Sequence, residues 1–344
     1  MVSALRWIDE DSSLELIDQT QLPGETRLLQ ITTTDALVRA IEDLAVRGAP
    51  ALGVAGAFGV AIAMQQGAAQ GWDADRIQTE IDRIRHARPT AVNLAWGVDQ
   101  VRPLVGEGLG AVVGAAKQIA QADESANREL SRLGADWILT HCPTDKLRVI
   151  THCNTGALAT SAWGTAYGII HELHDRGKLG LVYADETRPL LQGSRLTSWE
   201  LVQDGIEHVV EADGAASSTI LRGLVDVAII GADRIAANGD TANKIGSVAL
   251  ALACQRAGIP FIVAAPYSTV DLSTASGEQI HVEQRDEAEV LGFGAVRTTP
   301  AQSRGFNPAF DVTPHDLISA IATEKGIAEP AHDPRPRMMA ELDS

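Results

Sequence analysis

From residue 146 onward, short apolar runs return at intervals of about 20–35 residues, with helical patterns between them. The runs are LRVIT (147–151), LGLVYA (179–184), HVV (208–210), VDVAIIG (225–231) and IPFIVAA (259–265). Helical patterns fill 156–174, 189–204, 214–222 and 242–257. Strands so spaced need crossover helices, which implies βαβ units and a parallel sheet. Val225–Ile230 is apolar at nearly every position. A strand covered by helices on both faces must read that way. The expected fold class is α/β, with a C-terminal doubly wound, mostly parallel, Rossmann-like sheet.

The first part of the chain has a different texture. LRWID and LELID flank the turn-like EDSS, and TRLLQI follows LPGE, which predicts short strands. Thr33 or Thr34 is placed to cap a helix over Asp35–Leu44. In VRGAPALG (46–53), Arg47–Ala49 form an entry loop and Pro50 suits the first turn of a helix. Further helices are predicted over Asp73–His86, from RPTAVNLAWG (88–97) and over 122–139. The predicted division is a smaller mixed α+β domain over 1–130 that contributes to a substrate pocket, a Rossmann-like catalytic domain over 131–328, and a mobile Pro-rich tail over 329–344.

Composition narrows the partners. The formal net charge is −17 and no Lys/Arg run exists, which argues against nucleic acid and anionic membrane surfaces. An anionic substrate would need a local cationic pocket. Three cysteines, at 142, 153 and 254, form no disulfide framework, so a reducing cytoplasm is expected. No secretory leader is evident at the start. ALGVAGAFGVAIAM (51–64) is the longest apolar run, and its 14 residues are too few to cross a bilayer. A buried Gly/Ala-rich helix is expected there.

In open parallel sheets, ligands sit outside the carboxyl ends of the strands. Three loops fall there. In HCNTG, Cys153 follows a strand and is expected to precede a helix, whose N-terminus would favour a thiolate. The alternative is a packed core thiol. In ADETRPLLQGSRLTSWEL (184–201), a charged cluster precedes a helix expected to carry Gln192 and Arg195. In IIGADRIAANGDTANKIGS (229–247), Asn243 and Lys244 are expected on the first turn of a helix, a ready anion site. Asp233, beside apolar residues, would then be a desolvated general acid, or else a partner of Arg234. Zinc is not expected: His141–Cys142 and His152–Cys153 lie on opposite sides of one strand, and no CxxC or HxxxH spacing occurs. Neither a Walker loop nor GxGxxG follows a strand, so a small phosphorylated metabolite fits better than a nucleotide.

VRGAPALG (46–53), RPTAVNLAWG (88–97), THCNTGALAT (151–160), DETRPLLQGSRLTSWEL (185–201) and GADRIAANGDTANKIG (231–246) closely resemble the methylthioribose-1-phosphate isomerase family. That family shares a superfamily with the regulatory subunits of eukaryotic initiation factor 2B. The resemblance implies conversion of 5-methylthio-α-D-ribose 1-phosphate to 5-methylthio-D-ribulose 1-phosphate in methionine salvage. It implies no metal, no organic cofactor and a homodimer. By motif it implies Cys153 and Asp233 as the catalytic pair, and Arg47, Gly48, Ala49, Arg88, Gln192, Asn243 and Lys244 as substrate contacts. The rival readings are an isomerase of 5-deoxyribose 1-phosphate or ribose 1,5-bisphosphate, and a regulatory subunit that binds a sugar phosphate without turning it over.

Overall fold

The computed structural model describes residues 3–89, 91–294, 296–335 and 337–342. It divides into two compact units, one of residues 1–125 with 155–164, the other of 126–154 with 165–344.

The first unit begins with an antiparallel meander of β1 (Leu5–Ile8), β2 (Ser13–Ile17) and β3 (Leu28–Ile31). Helices α1 (Thr34–Glu42), α2 (Ala49–Gln70), α3 (Ala74–Arg85) and α4 (Val92–Val101) follow, then the start of α5 (Leu109–His141). Thr33 caps α1 and Asp73 caps α3, each accepting a backbone N–H. Helix α2 is the centre of this unit, and every residue from Ala51 to Ala63 is buried. Its small side chains let α4 approach so closely that a Cβ on Gly97 would lie 1.9 Å from the Gly53 carbonyl oxygen. A helix enclosed on all sides carries no polar face, which is why its sequence lacks amphipathic periodicity. With 22 residues, α2 is long and apolar enough to cross a bilayer, so the exclusion by length does not hold. Its burial inside the unit, 78% of the apolar window, accounts for that composition instead.

The second unit holds a seven-stranded sheet. Its strands are β4 (Leu147–Thr151), β5 (Leu179–Asp185), β6 (His208–Glu211), β7 (Val227–Ile230), β10 (Phe261–Ala264), β15 (Ala320–Thr323) and β16 (Gly326–Ala328). The order is β16-β15-β10-β7-β4-β5-β6, parallel except for β16. Val227 and Ile229 join one apolar cluster with Tyr167, Ile169 and Ile170 of α6 (Ala166–Asp175). Ala228 and Ile230 join another with α8 (Ala216–Leu221) and α9 (Ser247–Ala257). Alternate residues thus feed opposite cores, as the unbroken apolar run of β7 requires. The fold is the expected doubly wound α/β sheet.

A smaller sheet of order β11-β8-β9-β14 is built from β8 (Arg234–Ala236), β9 (Thr241–Lys244), β11 (Val270–Asp271) and β14 (Phe310–Thr313). The second unit also holds a ribbon of β12 (Gly292–Phe293) with β13 (Val296–Arg297) and the short helices α7 (Ser198–Gln203), α10 (Ala288–Leu291) and α11 (Met338–Glu341). Residues 336, 343 and 344 of the predicted tail, and Thr90 of the RPTAVNLAWG motif, lie outside the described residues. In the rest of the tail, Met338 and Met339 of α11 are buried, and Met339 N–H donates to the Ala237 carbonyl. The two buried methionines anchor a segment whose Pro and charge content predicts mobility.

Three predicted helices differ. Residues 156–174 begin with one 3-10 turn, Ala157–Ala159, and α6 starts only at Ala166. Thr160 and Ser161 spend their hydroxyls on backbone oxygens, and Trp163 and Gly164 adopt φ of 73° and 85°. The local Thr160 bond and the left-handed residues break a helix, and Ser161 is tied to the distant Ala120 carbonyl. The stretch 189–204 is a π-helical turn, Gly193–Thr197, running into α7. The stretch 242–257 is strand first and helix second.

Candidate active site

The chain lays down β4, β5 and β6 in one direction across the sheet, then returns to lay β7, β10 and β15 in the other. The order reverses between β4 and β7, which pair through Val149 with Val227 and Ile150 with Ala228. A crevice forms at such a switch point, outside the carboxyl ends of the strands. Cys153 comes two residues after β4 and Asp233 three residues after β7. The two side chains proposed for chemistry therefore leave neighbouring strands at the same edge.

Cys153 does not sit at an α-helix N-terminus, since the next α-helix after it starts at Ala166. Its position is fixed by its backbone instead. Cys153 N–H donates to Thr187 Oγ1 (2.8 Å), and the Thr197 hydroxyl donates to the Cys153 carbonyl (2.6 Å). Its φ is 66°, and Thr187 and Leu191 in the loop after β5 have φ of 63° and 60°. Left-handed backbone is costly for a β-branched residue such as Thr187. Strain of this kind gathers at functional sites, where surrounding structure holds it. Cys153 is 7% exposed. The other two thiols are pushed up by burial, Cys142 to about 11 and Cys254 to about 12, so both are protonated and inert at neutral pH.

Gln192 lies just before the π-helical turn and is buried. Among the described residues nothing donates to its Oε1, nor to Asn154 Oδ1 and Asp185 Oδ1 on the loop after β4 and at the end of β5. Asn154 Nδ2 donates to Glu200 (2.7 Å). Buried acceptors without donors need an explanation. A ligand rich in hydroxyls would supply the missing donors.

Beside Cys153, His152 is enclosed. Its Nδ1 lies 2.9 Å from Asp185 Oδ2 and its Nε2 lies 2.8 Å from the Ile245 carbonyl. Burial lowers the imidazole, but the Asp185 carboxylate, with Asp213 beyond it, outweighs that and holds it above its usual value. Burial pushes the Asp185 carboxyl up to about 6 despite the opposing pull of His152. Among the described residues, His152, Asp185 and Asp213 also bring possible metal-ligand atoms within 4.8 Å of one another. Most of those atoms are already engaged: both imidazole nitrogens face acceptors, Asp185 Oδ2 faces Nδ1, and the two Asp213 oxygens accept the Thr187 and Arg188 N–H groups (2.7 Å each).

The loop after β7 departs most from expectation. Asn243 and Lys244 are on strand β9, not on a helix: Arg234 pairs with Ala242, Asn243 with Asp311 and Lys244 with Phe310. The hairpin turns at Asn238–Gly239, where Gly239 has φ 92°. Asn-Gly between extended segments is a strong hairpin signal, and it was readable in the sequence. Asn243 Nδ2 donates to Ser247 Oγ (3.0 Å). Lys244 Nζ donates to the Ala309 carbonyl (2.9 Å) and stands 4.6 Å over the Phe310 ring. The N-terminus of α9, expected to hold an anion, is already filled, because Asp311 Oδ2 accepts from Gly246 N (2.8 Å) and Val248 N (3.2 Å). Asp233 is exposed in this unit, which overturns the expected desolvation of its carboxyl. Arg234 pairs with Asp271 (3.8 Å). Asp240 is a structural hub that accepts from Asn238, Gly277 N and His315. Burial would raise its carboxyl, but those hydrogen bonds hold it below the usual range.

In the first unit, Arg47, Gly48 and Ala49 lead into α2 and are half-buried, as is Arg88 after α3. Gly48 has φ 94°, and a Cβ there would lie 2.2 Å from the Ala159 carbonyl oxygen. Helix α2 has no side-chain cap and no acidic residue in its first turn.

The profile of the initiation factor 2 subunit family matches residues 45–330. A probable bifunctional methylthioribose-1-phosphate isomerase/methylthioribulose-1-phosphate dehydratase of Nocardia farcinica is 50% identical over 326 residues, covering 94% of this chain; the chain spans 59% of that protein's length. A methylthioribose-1-phosphate isomerase of Xanthomonas oryzae pv. oryzae is 47% identical over 336 residues, 96% of this chain and 93% of the relative. Among solved structures, 5-methylthioribose 1-phosphate isomerase from Pyrococcus horikoshii aligns with TM-score 0.89 and 36% identity, covering 100% of this chain and 96% of its own. Translation initiation factor eIF-2B, subunit delta, from A. fulgidus aligns with TM-score 0.87 and 35% identity, over 99% and 100% of the two chains.

Proposed function

We propose that this chain, which belongs to the initiation factor 2 subunit family, is an aldose–ketose isomerase that converts 5-methylthio-α-D-ribose 1-phosphate to 5-methylthio-D-ribulose 1-phosphate in methionine salvage. The observation that carries the reading is the departure of Cys153 and Asp233 from adjacent strands at the switch point of the sheet. Relatives of that printed name, alike over nearly the whole chain, support it.

The chemistry assigns roles. A phosphate on the anomeric carbon locks the sugar as a ring, so an acid must protonate the ring oxygen while the bond from C1 breaks. Asp233 is the proposed acid, and bound substrate would exclude water from its carboxyl. Hydrogen must then pass from C2 to C1. Cys153 either carries the C2 proton to C1 through an enol-like species, or accepts the C2 hydroxyl proton while a hydride moves directly. Gln192, Asn154 and Asp185 offer acceptors to sugar hydroxyls. The phosphate is assigned to Arg47, Gly48 and Ala49 at the uncapped start of α2, with Arg88, on the strength of cation and helix-dipole attraction. Asn243 and Lys244 are proposed as further contacts. The reading needs no metal and no organic cofactor. It includes a homodimer in the cytoplasm, and light scattering of the purified chain tests the dimer.

One coupled assay with methylthioribose 1-phosphate, 5-deoxyribose 1-phosphate and ribose 1,5-bisphosphate tests the substrate. The expected result is the highest kcat/KM for the first. A preference for either of the others would move the assignment to that sugar. Turnover of none would favour a regulatory, binding-only subunit, the reading that likeness to an eIF-2B subunit keeps alive. In deuterated water, strong label at C1 would exclude a purely direct hydride shift.

A further inference from the structure

His152 and Asp185 Oδ2 form a buried titratable pair to which the proposed reaction assigns no proton transfer. The imidazole is 1% exposed and touches three parts of the edge: its own loop ahead of Cys153, the end of β5 through Asp185, and the turn after Lys244 through the Ile245 carbonyl. A backbone carbonyl only accepts, so Nε2 carries a hydrogen. Nδ1 faces a carboxylate oxygen, and a bare lone pair there would be repelled. The carboxyls facing the ring are Asp185 on β5, Asp213 after β6 and Asp311 on β14. All three favour a cation. The second side of the ring rests on Gly246, where a Cβ would stand 2.8 Å from the imidazole.

We propose that His152 is a doubly protonated imidazolium, clamped between Asp185 and Ile245, and that it is the positioning residue that sets Cys153 against the Asn243–Lys244 strand. Buried ion pairs are attested as devices that fix one arrangement rather than as sources of stability. The proton on Nδ1 closes the clamp. Because the imidazole is held above its usual value, the charged clamp is present at the ordinary histidine value near 6.5, weakens in acid as the Asp185 carboxyl takes a proton at about 6, and opens as pH rises through the raised imidazole value.

Asp185→Asn separates charge from hydrogen bonding, since the amide can donate to a neutral Nδ1 while Nε2–H keeps Ile245. The experiment is melting temperature and turnover of the full chain across pH 6–9, for wild type and Asp185→Asn. The proposal expects the wild type to lose melting temperature and kcat, but not KM, on the alkaline side. It expects Asp185→Asn to be flat in melting temperature across that range. His152→Ala should lower kcat on the order of tenfold to a hundredfold with KM little changed, as a misplaced reacting group does. Parallel alkaline losses in wild type and Asp185→Asn, or wild-type kcat in His152→Ala, would overturn it. Should Asp185→Asn not fold, ring-nitrogen NMR of histidine-labelled wild type decides. Both His152 nitrogens must read as protonated at pH 7, and a bare Nδ1 there sinks the proposal. Only the turnover readout rests on the isomerase assignment; melting and NMR need no substrate, so failure of the one reading is told from failure of the other.

Discussion

Helices α2 and α9 enter their units in the same way and end up differently. Each follows a glycine with positive φ, Gly48 at 94° and Gly246 at 112°, and neither has an N-cap side-chain bond. Each glycine is forced by a neighbour as well, the Ala159 backbone for one and the His152 ring for the other. At α9 the protein's own Asp311 occupies the first amides. At α2 no acid lies in the first turn, and Arg47 stands just ahead of the Gly48 cap. A helix start is an anion site only while no internal anion has taken it. The first-turn position expected near Lys244 is therefore taken at α9 by Asp311, and the same physics favours the phosphate site proposed at α2.

Substitutions at the two ends would break or sharpen this contrast. The largest effect is expected at Gly48. Gly48→Ala must accept left-handed strain of about 1–2 kcal/mol and a Cβ driven into rigid backbone, for a loss of about 3 kcal/mol or more in chemical denaturation. Gly246→Ala meets a side chain instead, and about 2 kcal/mol is expected, with the His152–Ile245 bond broken. Equal, small losses at both would show that neither entry is constrained. Next comes the anion itself. Arg47→Ala should raise KM about 10–100-fold while melting temperature holds, the worth of a charged hydrogen bond to phosphate. Asp311→Asn should leave KM unchanged and lower stability by about 0.5–2 kcal/mol through loss of its charge at the helix start. Reversal of that pattern would return the phosphate to α9. The smallest effect concerns Asp240 on the α9 side. Its depressed carboxyl contributes stability above the ordinary value near 3.9, and that contribution is lost as pH falls through the lower folded value. Asp240→Asn should cost about 1–3 kcal/mol at neutral pH, and the gap to wild type should narrow in acid.

The doubly wound sheet was legible because β7 must be apolar at every position to serve two cores, and few other folds ask that of four consecutive residues. Cys153 and Asp233 were legible as strand-end residues for the same reason. Asn243 and Lys244 were misplaced because β9 is held by β14, about seventy residues later, and single-sequence periodicity carries no such long-range pairing. The Asn-Gly turn was the local clue to it. Asp311 as an internal cap and Asp185 as the partner of His152 are tertiary facts, set by which strand ends become neighbours. The exposure of Asp233 was hidden because Val227–Ile230 before it is fully apolar, and that apolarity stops with the strand.

The central claim is that Cys153 and Asp233 perform the proton transfers of one sugar-phosphate isomerisation. Its most direct test is single-turnover conversion of 5-methylthioribose 1-phosphate by Cys153→Ser and by Asp233→Asn, each checked for wild-type melting. The account predicts that each variant slows conversion about 10²–10⁴-fold, the usual weight of a positioned acid or base. A folded variant of either kind that converts the substrate at the wild-type rate would contradict it.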